Sequence, residues 1–140
     1  MAVPADKVAE ILGLKRSVRS MAAIANAVEM GLPKQSLARV AERAGFLGSA
    51  RQLLMQRVVP AATYKRRKRL KLGESEKTER LARVVALAEL LWDDAAEAKR
   101  FLSTPHPELG RKAPIDAGMT ELGARQVEEV VMRALYGLPV

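Results

Sequence analysis

An all-α fold is predicted by three features of the sequence. Apolar residues recur at helical spacing almost throughout, no stretch alternates apolar and polar residues as a half-buried strand would, and glycine or proline punctuates the chain at helix-length intervals. The first helix is expected to bury Val8, Ile11 and Leu12 and to end at Gly13. A second starts after Ser17 or Ser20, buries Met21, Ile24, Ala25 and Val28, and stops at Gly31. Glycine relieves the strain of a left-handed cap and Pro33 suits a first helical turn, so a third helix carrying Leu37, Val40 and Ala41 runs to Ala44, before Gly45.

Gly48 and Ser49 open a short fourth helix with Leu53 and Leu54 facing inward; it stops at Val58, Val59 and Pro60, and Pro60 restarts the chain into a helix over 61–69. Ser75 is the expected cap of the longest helix. Glu76 and Glu79 would sit favourably in its first turn, and Leu81, Val84, Val85, Ala88, Leu91 and Trp92 would form its buried stripe, with Trp92 anchoring the core at the junction with the next helix. Asp94 with Glu97 three residues on resembles a capping box and starts a helix carrying Ala98, Phe101 and Leu102, which Pro105 and Pro107 break. Residues 103–123 are turn-rich, with one short helix after Pro114. The last helix, from about Ala124, buries Val127, Val130, Val131, Ala134 and Leu135 before Gly137 halts it.

The 140 residues amount to one domain or two small helical lobes, and a 49% hydrophobic share supplies a core without covalent staples. The absence of cysteine excludes a disulfide framework, a cysteine-ligated zinc or iron–sulfur site, and a cysteine nucleophile. The longest apolar stretch, 84–91, is cut by Glu89 and falls far short of the roughly 18–20 residues that span a bilayer. No basic segment followed by an apolar one stands at the start, so no membrane association or secretory signal is expected and the cytoplasm is the default compartment.

Charge divides the chain. Residues 1–73 hold 15 Lys and Arg against 4 Asp and Glu, a balance of +11; residues 74–140 hold 9 against 12, a balance of −3; together they return the net +8. A strongly basic lobe gains affinity for a polyanion through counterion release, whereas a mildly acidic one suits a basic protein surface.

The most specific feature of composition is the run Lys65, Arg66, Arg67, Lys68 and Arg69, followed by Lys71. Helices over 50–57 and 61–69 joined at 58–60 make a helix-turn-helix-like unit whose second helix suits a major groove. On it Thr63, Tyr64, Arg66 and Arg67 are candidates for base edges or phosphates; Lys65, Lys68, Arg69 and Lys71 are candidates for phosphates, with Arg51 and Arg57 flanking. From the residues alone, contact with RNA or the ribosome and a solvated basic face stay open beside DNA contact. His106, the one histidine, lies between two prolines without partners for a metal site or catalytic triad, and reads as a turn residue. Asp93 with Asp94 and Glu128 with Glu129 are adjacent on helices and point about 100° apart, so paired acid–base work is not expected. No catalytic residue, metal or cofactor is predicted. After the last helix, Tyr136, Gly137, Leu138, Pro139 and Val140 form a short apolar tail that suits a pocket in another molecule, although on composition alone a frayed chain end is the favoured reading.

These residues fall in a recognisable order. Gly31, Leu32 and Pro33 are followed by Thr63, Tyr64, Lys65, Arg66 and Arg67, then by Ser75, Thr78, Glu79, Arg80, Leu81, Ala82 and Arg83. The stretch 98–105, Pro114, Gly123 and a last helix through Gly137 complete it. The whole resembles the Xre/MbcA/ParS antitoxins, which pair with RES-domain toxins. The resemblance covers about residues 30–140, leaves the first helix unassigned, and departs at Asp116, Ala117, Gly118 and Met119, where members usually carry leucines. It implies an all-α antitoxin, usually dimeric, with an Xre-like helix-turn-helix DNA-binding region over 1–73 and a toxin-binding domain over 74–140. The family's toxins consume NAD or transfer ADP-ribose from it. By this resemblance Val131, Leu135, Tyr136, Gly137, Leu138, Pro139 and Val140 would plug the toxin's NAD pocket, the terminal carboxylate standing in for ligand phosphates, while the basic half binds operator DNA and represses the operon. A stand-alone helix-turn-helix regulator and an RNA- or ribosome-associated basic protein are the alternatives.

Overall fold

The computed structural model describes residues 3–137, and within them the all-α expectation holds. The helices are α1 (Ala5–Leu12), α2 (Met21–Met30), α3 (Gln35–Arg43), α4 (Gly48–Gln56), α5 (Ala61–Arg66), α6 (Leu72–Leu91), α7 (Ala95–Ser103), α8 (Pro114–Ala117) and α9 (Glu121–Tyr136), with a 3-10 turn at Pro107–Leu109. Helix α6 is the axis. It packs against α1, α2 and α3 on one side and α7, α8 and α9 on the other. Leu81, Ala82, Val84, Val85, Ala86, Leu87 and Ala88 are all buried, which is what a helix apolar on every face requires.

Several ends follow from local chemistry. Gly13 closes α1 in the left-handed region at φ 70°, where its N–H meets the carbonyls of Ala9 and Glu10. The hydroxyl of Ser20 accepts from Ala23 N–H at 3.0 Å, Asp94 accepts from Ala96 N–H at 2.8 Å, and Thr120 accepts from Gly123 N–H at 3.0 Å. That last cap starts α9 at Glu121, one turn earlier than the apolar pattern indicates. Gly123 is required there: a Cβ at this position would lie 1.9 Å from the Ala117 carbonyl oxygen.

Other expectations need correcting. Helix α6 starts at Leu72, and Ser75, far from capping it, is fully buried inside its first turns. Its hydroxyl accepts from Leu32 N–H at 3.0 Å, because that buried amide has no helix to bond into. Pro33 is not in a helical turn but opposite Arg69 in an isolated antiparallel bridge, flanked by Lys34 N–H to Lys68 O (3.1 Å) and Leu70 N–H to Leu32 O (2.8 Å). Leu70 is buried by this pairing, so α5 ends at Arg66 rather than 69. Met21, Ala25, Leu53 and Trp92 are exposed, as are Ala134 and Leu135, because each lies on an outward face or beyond the length that α6 covers.

Polar ties reinforce the core. Glu89 on α6 accepts from Arg43 of α3 at 2.7 and 2.9 Å, and Lys7 of α1 lies 3.1 Å away. Burial disfavours the Glu89 carboxylate, but the hydrogen bonds from Arg43 and Lys7 outweigh it, and the group titrates below the ordinary glutamate value. The folded chain therefore holds that proton less readily than the unfolded one. The stabilisation is complete above the ordinary glutamate pKa and disappears as the pH falls through the lower folded value.

Glu89→Gln is accordingly expected to lower stability at neutral pH by about 1 kcal/mol, with the difference from the unaltered protein closing in acid titrations followed by circular dichroism. Ser75→Ala leaves the Leu32 amide buried and unpaired, and is expected to cost about 1–3 kcal/mol in urea denaturation at any pH.

Candidate interaction surfaces

Two surfaces carry the residues singled out by sequence. The first is built by α4, α5 and the extended segment 67–71. Val59 and Leu54 are buried and root the α4–α5 turn, while Tyr64 packs half-buried against the core. Lys34, which sequence reasoning missed, closes α5: its ammonium donates to the carbonyls of Tyr64 (3.0 Å) and Lys65 (3.3 Å) and sits 4.9 Å from the centre of the Tyr64 ring. A cation at a helix C-terminus is favoured by the helix dipole. Burial pushes the Tyr64 phenol up, so it remains a hydrogen-bond donor at neutral pH.

The basic run is divided between two tasks. Lys65, Arg66, Lys68, Arg69 and Lys71 are exposed. Arg67 pairs with Glu74 of α6, and Arg69 donates to the Gly31 carbonyl at 2.9 Å, so both guanidiniums hold the chain in place. Arg51 pairs with Glu42 of α3 and Arg57 with Asp116 of α8. Thr63 is half-buried on α5. The structure thus leaves five of the ten candidate residues, Lys65, Arg66, Lys68, Arg69 and Lys71, exposed without a carboxylate partner among the described residues, and pairs Arg51, Arg57 and Arg67 with carboxylates. The partners Glu42, Glu74 and Asp116 stand 9, 7 and 59 residues from the arginines they hold, distances at which sequence periodicity gives no sign of pairing.

The second surface is the end of α9. Val127, Val130 and Val131 are buried against the core, so Val131 seats the helix and offers no surface of its own. Arg133 pairs with Glu108 of the 3-10 turn. Beyond that pair Leu135 is 36% and Tyr136 69% exposed, and Gly137 ends the helix at φ 60°. An aromatic and an aliphatic side chain side by side in solvent are typical anchors for a partner's pocket. Leu138, Pro139 and Val140 lie outside the described residues. His106 is a turn residue: its Nδ1 accepts from Glu108 N–H at 3.1 Å, and its ring meets Phe101 edge-on at 6.4 Å. Among the described residues no helix is long and apolar enough to cross a membrane, and no three metal-ligating side chains cluster.

Residues 87–137, which run from the last turn of α6 through α9, match the family model described as the antitoxin Xre/MbcA/ParS C-terminal toxin-binding domain. A curated relative from Pseudomonas putida, named Antitoxin Xre, is 32% identical over 84 residues, covering 57% of this chain and 53% of that protein. The chain therefore spans about half the length of the relative it matches.

For nucleic acid, five solvent-facing cations set the expected salt dependence. The slope of log K against log salt on duplex DNA should be about −4.5, and Arg66→Ala should reduce it by nearly one. Arg67→Ala is expected to lower the melting temperature instead, since it frees Glu74; fluorescence anisotropy and thermal denaturation on the same variants separate the two effects.

Proposed function

We propose a function from one premise: the chain belongs to the Xre/MbcA/ParS antitoxin family. Its segment 87–137 is a toxin-binding domain, and the protein acts by binding rather than by chemistry. The partner is a RES-domain toxin that consumes NAD or transfers ADP-ribose. The antitoxin neutralises it by setting the end of α9 and the tail over the mouth of its active site. The single observation that carries this reading is the exposed pair Leu135 and Tyr136 at the end of the segment matched by the family model. An antitoxin surface of this composition fits a pocket built for a nucleotide, which the aromatic ring of Tyr136 and the side chain of Leu135 would fill.

The exposed cations Lys65, Arg66, Lys68, Arg69 and Lys71 support operator binding by residues 1–73, and through it autorepression in the cytoplasm, with 74–140 given over to the toxin. A homodimer doubles the phosphate contacts available to each operator and suits a two-fold symmetric site.

Co-expression with a cognate toxin tests the reading. Leu135→Asp combined with Tyr136→Ala is expected to abolish growth rescue and to weaken co-purification, with a loss of toxin affinity of about 10–100-fold, while DNA binding stays unchanged. Full rescue by that double variant overturns the occlusion mechanism.

A further inference from the structure

The segment matched by the toxin-binding family model holds six cations, and the chain itself answers most of them. Arg100 lies 3.5 Å from Glu97, Arg125 lies 3.9 Å from Glu121, and Arg133 pairs with Glu108. Lys99 lays its aliphatic stem against Gly45, and Lys112 shares the lining of a shallow cavity with Asp116 and Glu129. Arg111 is left over: it is exposed, and its guanidinium has no partner among the described residues.

Arg111 is also the one non-glycine residue with a positive φ among the described residues, at 65°, directly after Gly110 at 62°. Glycine accepts the left-handed region freely and asparagine readily, whereas a long side chain is strained there. The turn allows no relief. His106 N–H donates to the Lys112 carbonyl at 3.0 Å, Arg111 N–H to the His106 carbonyl at 3.1 Å, and Lys112 N–H to the Leu109 carbonyl at 3.1 Å. Leu109 is buried and roots the turn in the core, and the pair Glu108 with Arg133 ties it to α9. A backbone fixed at so many points imposes the strain on Arg111 and presents its guanidinium to solvent from a rigid base.

The position of the turn says what the arginine meets. Arg133, which grips Glu108, stands three residues before Tyr136 and so on a neighbouring part of the α9 surface. The turn over 106–112 therefore lies beside the helix end that exposes Leu135 and Tyr136. A free, pre-positioned guanidinium next to apolar anchors is matched by a carboxylate at the rim of the partner's pocket, which its planar fork can engage with two parallel hydrogen bonds.

We propose that the turn over 106–112 is a second toxin contact, in which Arg111 pairs with a carboxylate on the toxin beside the pocket that receives Tyr136. The inference rests on the toxin-binding reading of 87–137 and adds a charge-specific contact to the apolar one. Apolar anchors discriminate weakly between related pockets, whereas an arginine desolvated without its carboxylate penalises the wrong toxin.

Affinity of the full-length chain for immobilised cognate toxin, measured beside thermal denaturation of the same variants, tests this contact. Arg111→Gly relieves the strain, so its melting temperature is expected to stay level or rise while toxin affinity falls about 10-fold. Arg111→Asn, which also suits the left-handed region, should behave alike, and Arg111→Glu should lower affinity by about 100-fold through repulsion. The loss in Arg111→Gly should shrink as salt is raised. Weaker binding by a variant that is no less stable does not come from damage to the fold. If the Arg111 variants bind as the unaltered protein does while Leu135→Asp with Tyr136→Ala loses affinity, this contact is overturned and occlusion by the end of α9 stands. If the Arg111 variants lose affinity and the double variant does not, the Arg111 contact stands and the occlusion falls.

Discussion

Burial of α6 on all sides between Val84 and Ala88 is the constraint on which everything else rests. A single helix supplies the floor for α1, α2 and α3 and for α7, α8 and α9, so the cation-rich half and the acidic half share one core despite opposite charge. The segment matched by the toxin-binding family model begins at residue 87, yet α9 rests on α6 residues upstream of that point. Arg80 and Arg83 hold Glu121 at the first turn of α9, and Arg83 and Val84 line the same cavity as Ala124 and Glu128. Helix α9 is thus held in place by residues on the amino-terminal side of the matched segment, and cutting the chain at 87 would remove part of its support.

The small bridge between Pro33 and Arg69 has an effect beyond its size. It draws Leu70 into the core, and the chain leaves helical geometry at Arg67, where ψ is 156°. The cation run is thereby split: Lys65 and Arg66 leave the end of α5, Lys68, Arg69 and Lys71 leave an extended strand-like segment, with Arg69 bound to the Gly31 carbonyl, and Arg67 turns inward to Glu74. Net charge overstates what reaches solvent. Counterion release depends on cations free to meet phosphates, and those committed to carboxylates have already given up their counterions to the fold.

What was legible in the sequence is what local chemistry decides. Gly13, Ser20, Asp94 and Gly137 mark helix ends because a left-handed glycine or a capping oxygen acts within one turn. Ser75 was misleading for the same reason: its residue type is that of a cap, but a backbone amide 43 positions away determines its use. Trp92, large and apolar, reads as core and is 40% exposed, since α6 ends at Leu91 and the chain leaves helical geometry there. The apolar stripe of α2 is wider than the face its own chain covers. Periodicity reports that a residue is apolar, and whether the same molecule or another one buries it depends on tertiary packing. The exposed end of α9 is illegible for the same reason: Leu135 continues the stripe of Val127, Val130 and Val131 one turn past the point where the core stops.

Among the described residues, one ion pair directly joins the helix-turn-helix-like unit to the segment matched by the toxin-binding family model, Arg57 with Asp116. Its side chains are 47% and 42% exposed, and an ion pair so open to water contributes at most about 1 kcal/mol. Even if it broke entirely on toxin binding, the coupling to DNA affinity would be about fivefold. Larger coupling has to pass through α6, and a helix close-packed on every side cannot shift by small steps. The two surfaces are therefore held at a fixed spacing, and the effect of one partner on the other is set chiefly by whether both fit around the same rigid helix.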